Sequence, residues 1–302
     1  MYNSGKSSKS MALTRAMLQL LVGQTLNGVI VGTLYGIIAL GVTLTFGITG
    51  IVNFALGEFM MIGAYVTWYL FDVAGLPYPV AIWPAIAVAA GCGFAADQLL
   101  FRFTRNNLIN GLLVSIGLIS IIEAAALLLW TTTPKDMGYV LSGAVALGGV
   151  SVPKMKLVVF ALLAAVMFLT YAALSRTWIG RAAYAFSQNP EAAMLMGVRT
   201  EVLQSTVVVY STALAGFGGA LYATLYSLEP SMGGLYILKG VEAAILGGIG
   251  SLIGSLAGGI ILGVTEAVGS IYLPSAFRDA YGLIFVVAIL LYQPAGLFGT
   301  ER

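Results

Sequence analysis

Three glutamates stand out among the residues that could do chemistry, because each lies in a long apolar stretch: Glu58, Glu123 and Glu266. A charge inside a membrane-spanning segment is costly and indicates a functional site by default. We expect Glu123 to hydrogen-bond to a Ser or Thr of another helix, and Glu266 to lie near an aqueous face. The chain has no His, and its single cysteine, Cys92, is predicted to be a packing residue. With no catalytic or metal-ligating constellation in view, the sequence favours transport over bond-making chemistry and predicts no metal site.

A second group of polar residues lies in one short stretch, residues 180–197, between apolar segments. Asn189 can cap a helix, Pro190 suits its first turn, and Glu191 favours its positive end. Gly197 can end the helix in a left-handed conformation. The pattern therefore predicts a helix over residues 190–196, in a loop that must face water.

The predicted loop helix is thin and partly apolar, because Ala192 and Ala193 are followed by the larger side chains of residues 194–196. A capped helix of this kind fits a groove in a partner protein, and it fits equally well on a membrane surface. Arg181, at the start of the loop, is expected to contact either that partner or lipid phosphates.

The composition predicts an all-α polytopic membrane protein with eight to ten transmembrane helices. Of the 302 residues, 59% are hydrophobic and 9% are charged, and a bilayer core requires about 20 apolar residues per helix. Apolar runs of that kind cover residues 18–46, 80–101, 108–130, 157–174, 202–226 and 281–292. The 38 glycines are expected where such helices pack backbone to backbone. A net charge of +2 gives no sign of nucleic-acid binding.

Basic residues collect in cytoplasmic loops. They predict that the N-terminal tail (residues 1–17) and the loop over residues 175–200 are both cytoplasmic, and that residues 18–302 form the transmembrane domain. Residues 131–156 are then external, despite three lysines. A single span between residues 46 and 71 would put the tail outside, and a single span after Lys239 would leave the C-terminus outside. We therefore expect one additional crossing or re-entrant segment in each half.

Two segments punctuated by glycine are candidates for those extra elements: residues 47–63 and residues 247–263. A shift of 201 residues aligns Gly47 with Gly248 and Gly57 with Gly258, which indicates a weak internal repeat. Interrupted hydrophobic segments at corresponding positions of two halves indicate a translocation site. They are tolerated only where protein or a water-filled cavity satisfies the freed backbone groups.

Polar side chains in and beside the first interrupted segment are candidates for the translocation path. Asn53 and Glu58 are expected to shape a cavity or to hold the broken helix together. Thr43 and Thr45 either do the same or hydrogen-bond back to their own helix. The candidate path residues are Thr43, Thr45, Asn53, Gly57, Glu58, Gly248 and Gly258.

The loop carries a recognisable spacing, Glu191-Ala192-Ala193 followed four residues later by Gly197. It resembles the EAA loop of ABC importer permeases, which forms a coupling helix seated in a cleft of a cytoplasmic ATPase. The resemblance implies that the ATPase-coupling residues are Arg181, Asn189, Pro190, Glu191, Ala192, Ala193 and Gly197.

Residues 26–65 resemble, more specifically, the branched-chain amino acid permease family. The motifs are Asn53-Phe54-Ala55, Gly57-Glu58 and Ile62-Gly63-Ala64-Tyr65. Residues 243–251 and the closing residues 293–299 are similar to that family's endings, so the likeness covers about residues 26–299. The family usually has His where this chain has Leu56. If that His binds substrate or gates the path in relatives, this chain must do so differently.

The family resemblance implies a permease domain in a bacterial inner membrane, paired with a second homologous permease subunit. It also implies two cytoplasmic ATPases, which would hold the ATP and magnesium, and a periplasmic substrate-binding protein; this chain would bind no cofactor. The expected substrates are branched-chain amino acids, with urea, short amides or small aromatic acids as alternatives. An aquaporin-like channel would need two Asn-Pro-Ala motifs that are not present here. An ion-coupled carrier would leave the EAA-type loop unexplained.

Overall fold

The computed structural model describes residues 4–105, 107–138, 140–147, 150–274 and 277–299, and it confirms the all-α prediction. The helices are α1 (Ser4–Leu44), α2 (Leu56–Trp68), α3 (Tyr78–Leu99), α4 (Leu108–Trp130), α5 (Lys154–Arg176), α6 (Trp178–Gln188), α7 (Pro190–Leu195), α8 (Thr200–Tyr222), α9 (Met232–Gly247), α10 (Leu252–Tyr272) and α11 (Arg278–Tyr292). A π-helical turn extends α1 over Thr45–Thr49, and another extends α2 over Tyr69–Val73. Strands β1 (Ala144–Leu147) and β2 (Val150–Pro153) form one antiparallel hairpin, with Ala144 opposite Pro153.

Six helices of the described part are long and apolar enough to cross a membrane alone. They span Met17–Thr49, Tyr78–Phe103, Leu108–Trp130, Lys154–Arg176, Thr200–Tyr222 and Leu252–Tyr272. Three shorter apolar helices, α2, α9 and α11, join them in the bundle. Helical segments are expected here because a lipid environment requires every backbone N–H and C=O to be bonded within the segment.

The bundle has two distinguishable ends. The first, which we call the hairpin end, carries β1 and β2; there the Lys156 ammonium donates to Asn27 Oδ1 at 2.6 Å, and Gly23 faces Val150. The second, which we call the loop end, carries α6, which packs beside the π-helical turn Thr45–Thr49. Helix α1 therefore runs from the hairpin end to the loop end.

This course of α1 corrects the predicted side of the N-terminal tail. Residues 4–17 precede the hairpin end of the α1 span, whereas the loop over residues 175–200 lies at the other end, so residues 4–17 and this loop cannot both face the cytoplasm. The physical reason is the length of Leu56–Val73, which returns the chain to the hairpin end in a single pass. The additional crossing exists only in the C-terminal half, where α9, α10 and α11 bring the chain back to the loop end.

Helices α1 and α10 pack backbone to backbone. A Cβ added to Gly32 would lie 2.6 Å from the carbonyl oxygen of Gly259, and one added to Gly28 would lie 2.7 Å from that of Gly263. Small residues spaced by four let two membrane helices approach closely. This interface confirms the prediction drawn from the glycine content.

The two halves of the bundle are related by their packing. Helix α1 packs against α9 and α10, while α8 packs against α2 and α3; α1 also contacts α8, and α2 contacts α9. If α1, α2 and α3 are exchanged with α8, α9 and α10 in that order, the same pairs of helices remain in contact. The alignment by 201 residues would instead pair α1 with α9 and α2 with α10, so the structural repeat has a different register from the predicted one.

Candidate functional site

The first helix break, residues 50–55, connects α1 with α2. The amide of Gly50 donates to Phe46 O at 3.0 Å and closes the π-helical turn. Asn53 is 3% exposed, and its Oδ1 accepts the amide of Ala55 at 3.0 Å. Its Nδ2 is buried and has no hydrogen-bond partner among the described residues. Asn53 therefore holds the broken helix with one side-chain atom and leaves a donor free on the other.

The second helix break, residues 248–251, connects α9 with α10. Gly248 and Gly250 have φ values of 96° and 95°, a region that favours glycine. Ser251 Oγ accepts the amide of Gly254 at 3.0 Å and caps α10. The motif over residues 293–299 has a structural role here, because the amide of Phe298 donates to Gly247 O at 3.1 Å and so satisfies a carbonyl at the end of α9.

The π-helical turn directly before the first break meets the second break at the loop end. A Cβ added to Gly47 would lie 3.0 Å from Gly250 Cα, so the predicted interrupted segments do come together. The second interruption is shorter than predicted, because residues 252–263 belong to α10. Gly258 lies within that helix, where a Cβ would overlap the carbonyl oxygen of Ala243 on α9. Gly57 likewise packs α2 against Gly233, at the start of α9.

The predicted polar path residues have different surroundings. Thr43 Oγ1 lies 2.6 Å from Ser255 Oγ and links α1 to α10. Thr45 bonds back to its own helix, through the carbonyl of Gly41 at 3.0 Å. Glu58 is 1% exposed beside Gly233, and its Oε2 has no partner within the described chain.

A cavity of about 1120 Å³ opens at the loop end, and we call it the inner cavity. Both helix breaks, the α6–α7 loop and the closing residues 293–299 contribute to its walls. Its lining residues are Phe46, Gly47, Ile48, Thr49, Gly50, Arg105, Leu108, Tyr184, Phe186, Ser187, Gln188, Pro190, Gln204, Ile245, Ile249, Gly250, Ser251, Pro294, Ala295, Phe298 and Gly299. The loop helix and the broken helices therefore share one cavity.

A smaller cavity of about 150 Å³ adjoins the inner cavity, and we call it the aliphatic pocket. Phe46, Ile245 and Ile249 line both spaces. The complete lining is Val42, Phe46, Val52, Asn53, Phe54, Val241, Ala244, Ile245 and Ile249. Asn53 is the single hydrogen-bonding side chain in this lining.

A third cavity of about 260 Å³ lies between the end of α4 and the start of α9. Its walls include Glu123 and Glu229, together with Thr132 and Ser231. Glu123, for which a hydrogen bond to Ser or Thr was expected, thus faces a cavity that also holds a second carboxylate.

The loop helix α7 has the predicted caps. Asn189 Oδ1 accepts the amide of Ala192 at 3.0 Å, and Pro190 occupies the first turn. At the other end Gly197 has a φ of 85°, and the amide of Val198 donates to Ala193 O at 3.1 Å. The helix ends at Leu195, one residue before the predicted end.

One face of α7 packs on the bundle and the other is open. Ala193 is 3% exposed and packs with Ala183, Phe186 and Leu203. Leu195 is 89% exposed and Met196 is 85% exposed, and the side chains of Arg181 and Glu191 are also exposed. Ala193 therefore anchors the helix, while the apolar end of the loop stays uncovered in this chain.

A buried charge cluster joins α1, α9, α10 and α11, and sequence reasoning missed it. Glu266 is fully buried, and its carboxylate accepts the Tyr35 hydroxyl at 2.9 Å and Arg278 Nε at 3.1 Å. The Lys239 ammonium lies 2.8 Å from Glu266 Oε1 and 3.0 Å from Asp279 Oδ1. Two basic side chains cover Glu266, and the cluster extends to Asp279, whose side chain is 77% exposed. The clue available in the sequence was a basic residue, Lys239, inside an apolar run.

These features define a class of protein: a multi-pass membrane permease, in which broken helices meet at a cavity. The family described as "Branched-chain amino acid transport system / permease component" matches residues 24–292. The chain belongs to that family.

Individual relatives agree with the family assignment. The high-affinity branched-chain amino acid transport system permease protein BraD of Pseudomonas aeruginosa is 30% identical over 294 residues, which cover 92% of this chain and 96% of the relative. The corresponding protein LivH of Escherichia coli is 30% identical over 299 residues, with the same coverage. A probable branched-chain amino acid transport permease protein of Methanocaldococcus jannaschii is 29% identical over 296 residues and covers 91% of both chains. No solved structure matches this one significantly.

Proposed function

We propose that this chain is a permease subunit of an ATP-driven importer of branched-chain amino acids, coupled to cytoplasmic ATPases through α7. One observation carries the proposal. A short, doubly capped helix presents an uncovered apolar end outside the bundle while its first residue, Pro190, lines the same cavity as both helix breaks.

Force applied to α7 has a short route to the cavity. Ala193 packs against Ala183 and Phe186 of α6. Helix α6 in turn packs beside Thr45–Thr49, directly before the first break. An ATPase that moved α7 would therefore move the wall of the inner cavity as well, because packed interiors transmit displacement rather than absorb it. This route makes the partner-groove alternative a better account of α7 than adsorption to the membrane surface.

The charge distribution supports a cytoplasmic loop end. Basic side chains concentrate there in short connections, which is the usual cytoplasmic signature: Arg102, Arg105, Arg176, Arg181 and Arg199. We accordingly place the ATPases, which would bind ATP and magnesium, at the loop end. The substrate-binding protein would dock at the hairpin end, a second homologous permease subunit would lie alongside, and the membrane would be a bacterial inner membrane.

The substrate proposal follows the printed descriptions of the relatives, which name branched-chain amino acid transport. The aliphatic pocket supports it, since its walls are aliphatic and aromatic and its volume of about 150 Å³ suits a small side chain. Urea, short amides and small aromatic acids are the competing solutes for the uptake assay.

Replacement of Glu191 by Arg tests the coupling. The exposed carboxylate lies in the first turn of α7, so Glu191→Arg places a cation at the positive helix end and alters the surface offered to the ATPase. In vesicles that contain the complete transport complex, ATP-driven leucine uptake is expected to fall at least about tenfold, which corresponds to about 1.4 kcal/mol of lost coupling. Glu201→Arg, at an exposed acid in the first turn of α8, is the matched control. Undiminished uptake by Glu191→Arg would overturn the coupling assignment.

A further inference from the structure

A groove of about 600 Å³ lies between α3 and α8, and we call it the α3–α8 groove. One wall consists of side chains from residues 94–105, and the other of side chains from residues 201–213. We propose that this groove binds an anionic phospholipid of the surrounding membrane. Arg102 binds the lipid phosphate beside Arg105, and an acyl chain packs on Phe94 and Ala213. The inference concerns the membrane lipid, and it holds whichever solute the chain carries.

The two ends of the groove differ in polarity. At one end a Cβ added to Gly93 would overlap the Thr212 side chain. At the other end Arg105 Nη1 donates to Glu201 O at 3.3 Å, so α3 and α8 run antiparallel here. The first end has an apolar lining, and the second end carries the arginines. The apolar lining consists of Phe94, Val209 and Ala213.

The depth of each end matches the corresponding part of a phospholipid. Arg102 lies in the last turn of the span Tyr78–Phe103, so the polar end of the groove lies where that span leaves the membrane core. Phe94 precedes it by eight residues, or about 12 Å along a helix. The Phe94 side chain is 52% exposed, so at that depth it faces hydrocarbon. A lipid acyl chain is the apolar material available there.

A buried network holds Arg105 at the polar end. Its Nη2 donates to Asp97 Oδ2 at 2.8 Å and to Ser205 Oγ at 2.9 Å. Asp97 is fully buried on α3, and Ser205 lies on α8, so the guanidinium is positioned from both walls before any lipid binds. Its order therefore adds no entropic cost to lipid binding.

The balance of charge at the polar end favours an anion. Arg102 is exposed and has no ion-pair partner among the described residues. Arg105 is offset by Asp97, and the exposed carboxylate of Glu201 is accompanied by the exposed Arg199, two residues earlier. One positive charge remains, on a side chain whose planar donors suit a phosphate. Basic pockets between membrane helices are typical binding sites for anionic lipid headgroups.

Photolabelling in vesicles that contain the complete transport complex tests the assignment. The probes are phosphatidylglycerol and phosphatidylcholine, each with a diazirine in one acyl chain and each added in trace amount. Labelling of residues 94 and 209–213 is divided by labelling of Leu128, which is 86% exposed on α4 and reports bulk lipid. We expect this ratio to be about fivefold higher with phosphatidylglycerol, the effect of one arginine near an anionic lipid. An excess of inorganic phosphate should leave the ratio unchanged, because phosphate cannot occupy the apolar end.

Two substitutions make the test specific. Arg102→Gln should abolish the preference for phosphatidylglycerol, while Arg176→Gln, at an exposed arginine of the same end of the bundle, should preserve it. Val209→Trp fills the apolar end and should lower the ratio from a different helix, which keeps the test valid if Arg102→Gln fails to assemble.

Three results would overturn the lipid site. The first is an equal ratio for the two probes in the wild-type complex. The second is loss of the preference on addition of inorganic phosphate, which would indicate a site for free anions. The third is an unlabelled groove with labels on the second permease instead, which would show that protein covers it. None of these results depends on uptake, so failure of the lipid site and failure of the proposed function are distinguishable.

Discussion

The glycine contact between α1 and α10 leads to a quantitative prediction for Gly32→Ala. The added Cβ would lie 2.6 Å from Gly259 O and 2.6 Å from Ile260 Cα. Carbon atoms pack best at about 3.5–4.0 Å, so the two helices must move apart by roughly 1 Å. Overpacking of this kind costs about 1–3 kcal/mol.

The assay for Gly32→Ala is denaturation of the purified chain in detergent micelles, followed by helix content. The expected loss corresponds to about a 5- to 150-fold fall in the folded-to-unfolded ratio. Gly91→Ala is the matched control, because nothing lies within 4 Å of a Cβ at that position. It should be neutral, or more stable by up to about 1 kcal/mol from helix propensity. Equal stability of the two variants would refute the close packing of α1 on α10.

Three further substitutions probe the loop helix, the charge cluster and the polar contact between α1 and α10. Asn189→Ala removes the cap of α7 and should cost about 1 kcal/mol, seen as faster hydrogen exchange in that helix. Lys239→Met leaves the buried Glu266 carboxylate short of a cation and should lower the free energy of unfolding by about 3–5 kcal/mol. Thr43→Val removes the hydroxyl contact with Ser255 and should cost about 0.5–1.5 kcal/mol in the same measurement.

Each of these substitutions has an exposed counterpart of the same residue type. The matched controls are Asn110→Ala, Lys154→Met and Thr25→Val, at exposed side chains. Exposed positions of this kind usually change stability by no more than about 0.5 kcal/mol. A variant that behaved like its control would show that the contact assigned to the substituted residue is unimportant.

The loop helix could be predicted almost to the residue because its signals are local. Asn189 caps through an amide three positions away, and Gly197 ends the helix through its own backbone conformation. The bundle residues against which α7 packs could not be predicted in this way. The burial of Ala193 depends on Ala183, Phe186 and Leu203, and only the folded bundle brings these residues together.

The helix breaks and their polar residues were found from glycine spacing, but their arrangement was not. Glycine indicates where a chain can bend or approach another backbone, without naming the partner. Gly258 and Gly57 thus proved to be packing contacts with α9 rather than parts of a break. The register of the structural repeat likewise follows from which helices pack together, and a weak alignment between glycine-rich segments carries little of that information.

The side of the N-terminal tail and the charge cluster were missed for related reasons. The count of basic residues assigned the tail to the cytoplasm. In the structure, however, a single helix, α2, carries the chain from the first break back to the hairpin end. Glu266 looked isolated in sequence, while its partners Lys239 and Arg278 lie 27 and 12 residues away along the chain. Ion pairs between residues this far apart along the chain form only when the helices pack together, so no local sequence pattern predicts them.

The central claim is that this subunit is a gate whose driving force comes from ATPases acting through α7. The most direct measurement is accumulation of radiolabelled leucine against a gradient in vesicles supplied with ATP. Two preparations are compared, this chain alone and the chain with its second permease, ATPases and substrate-binding protein. We expect uphill accumulation only in the complete system. Uphill accumulation by this chain alone would contradict the account.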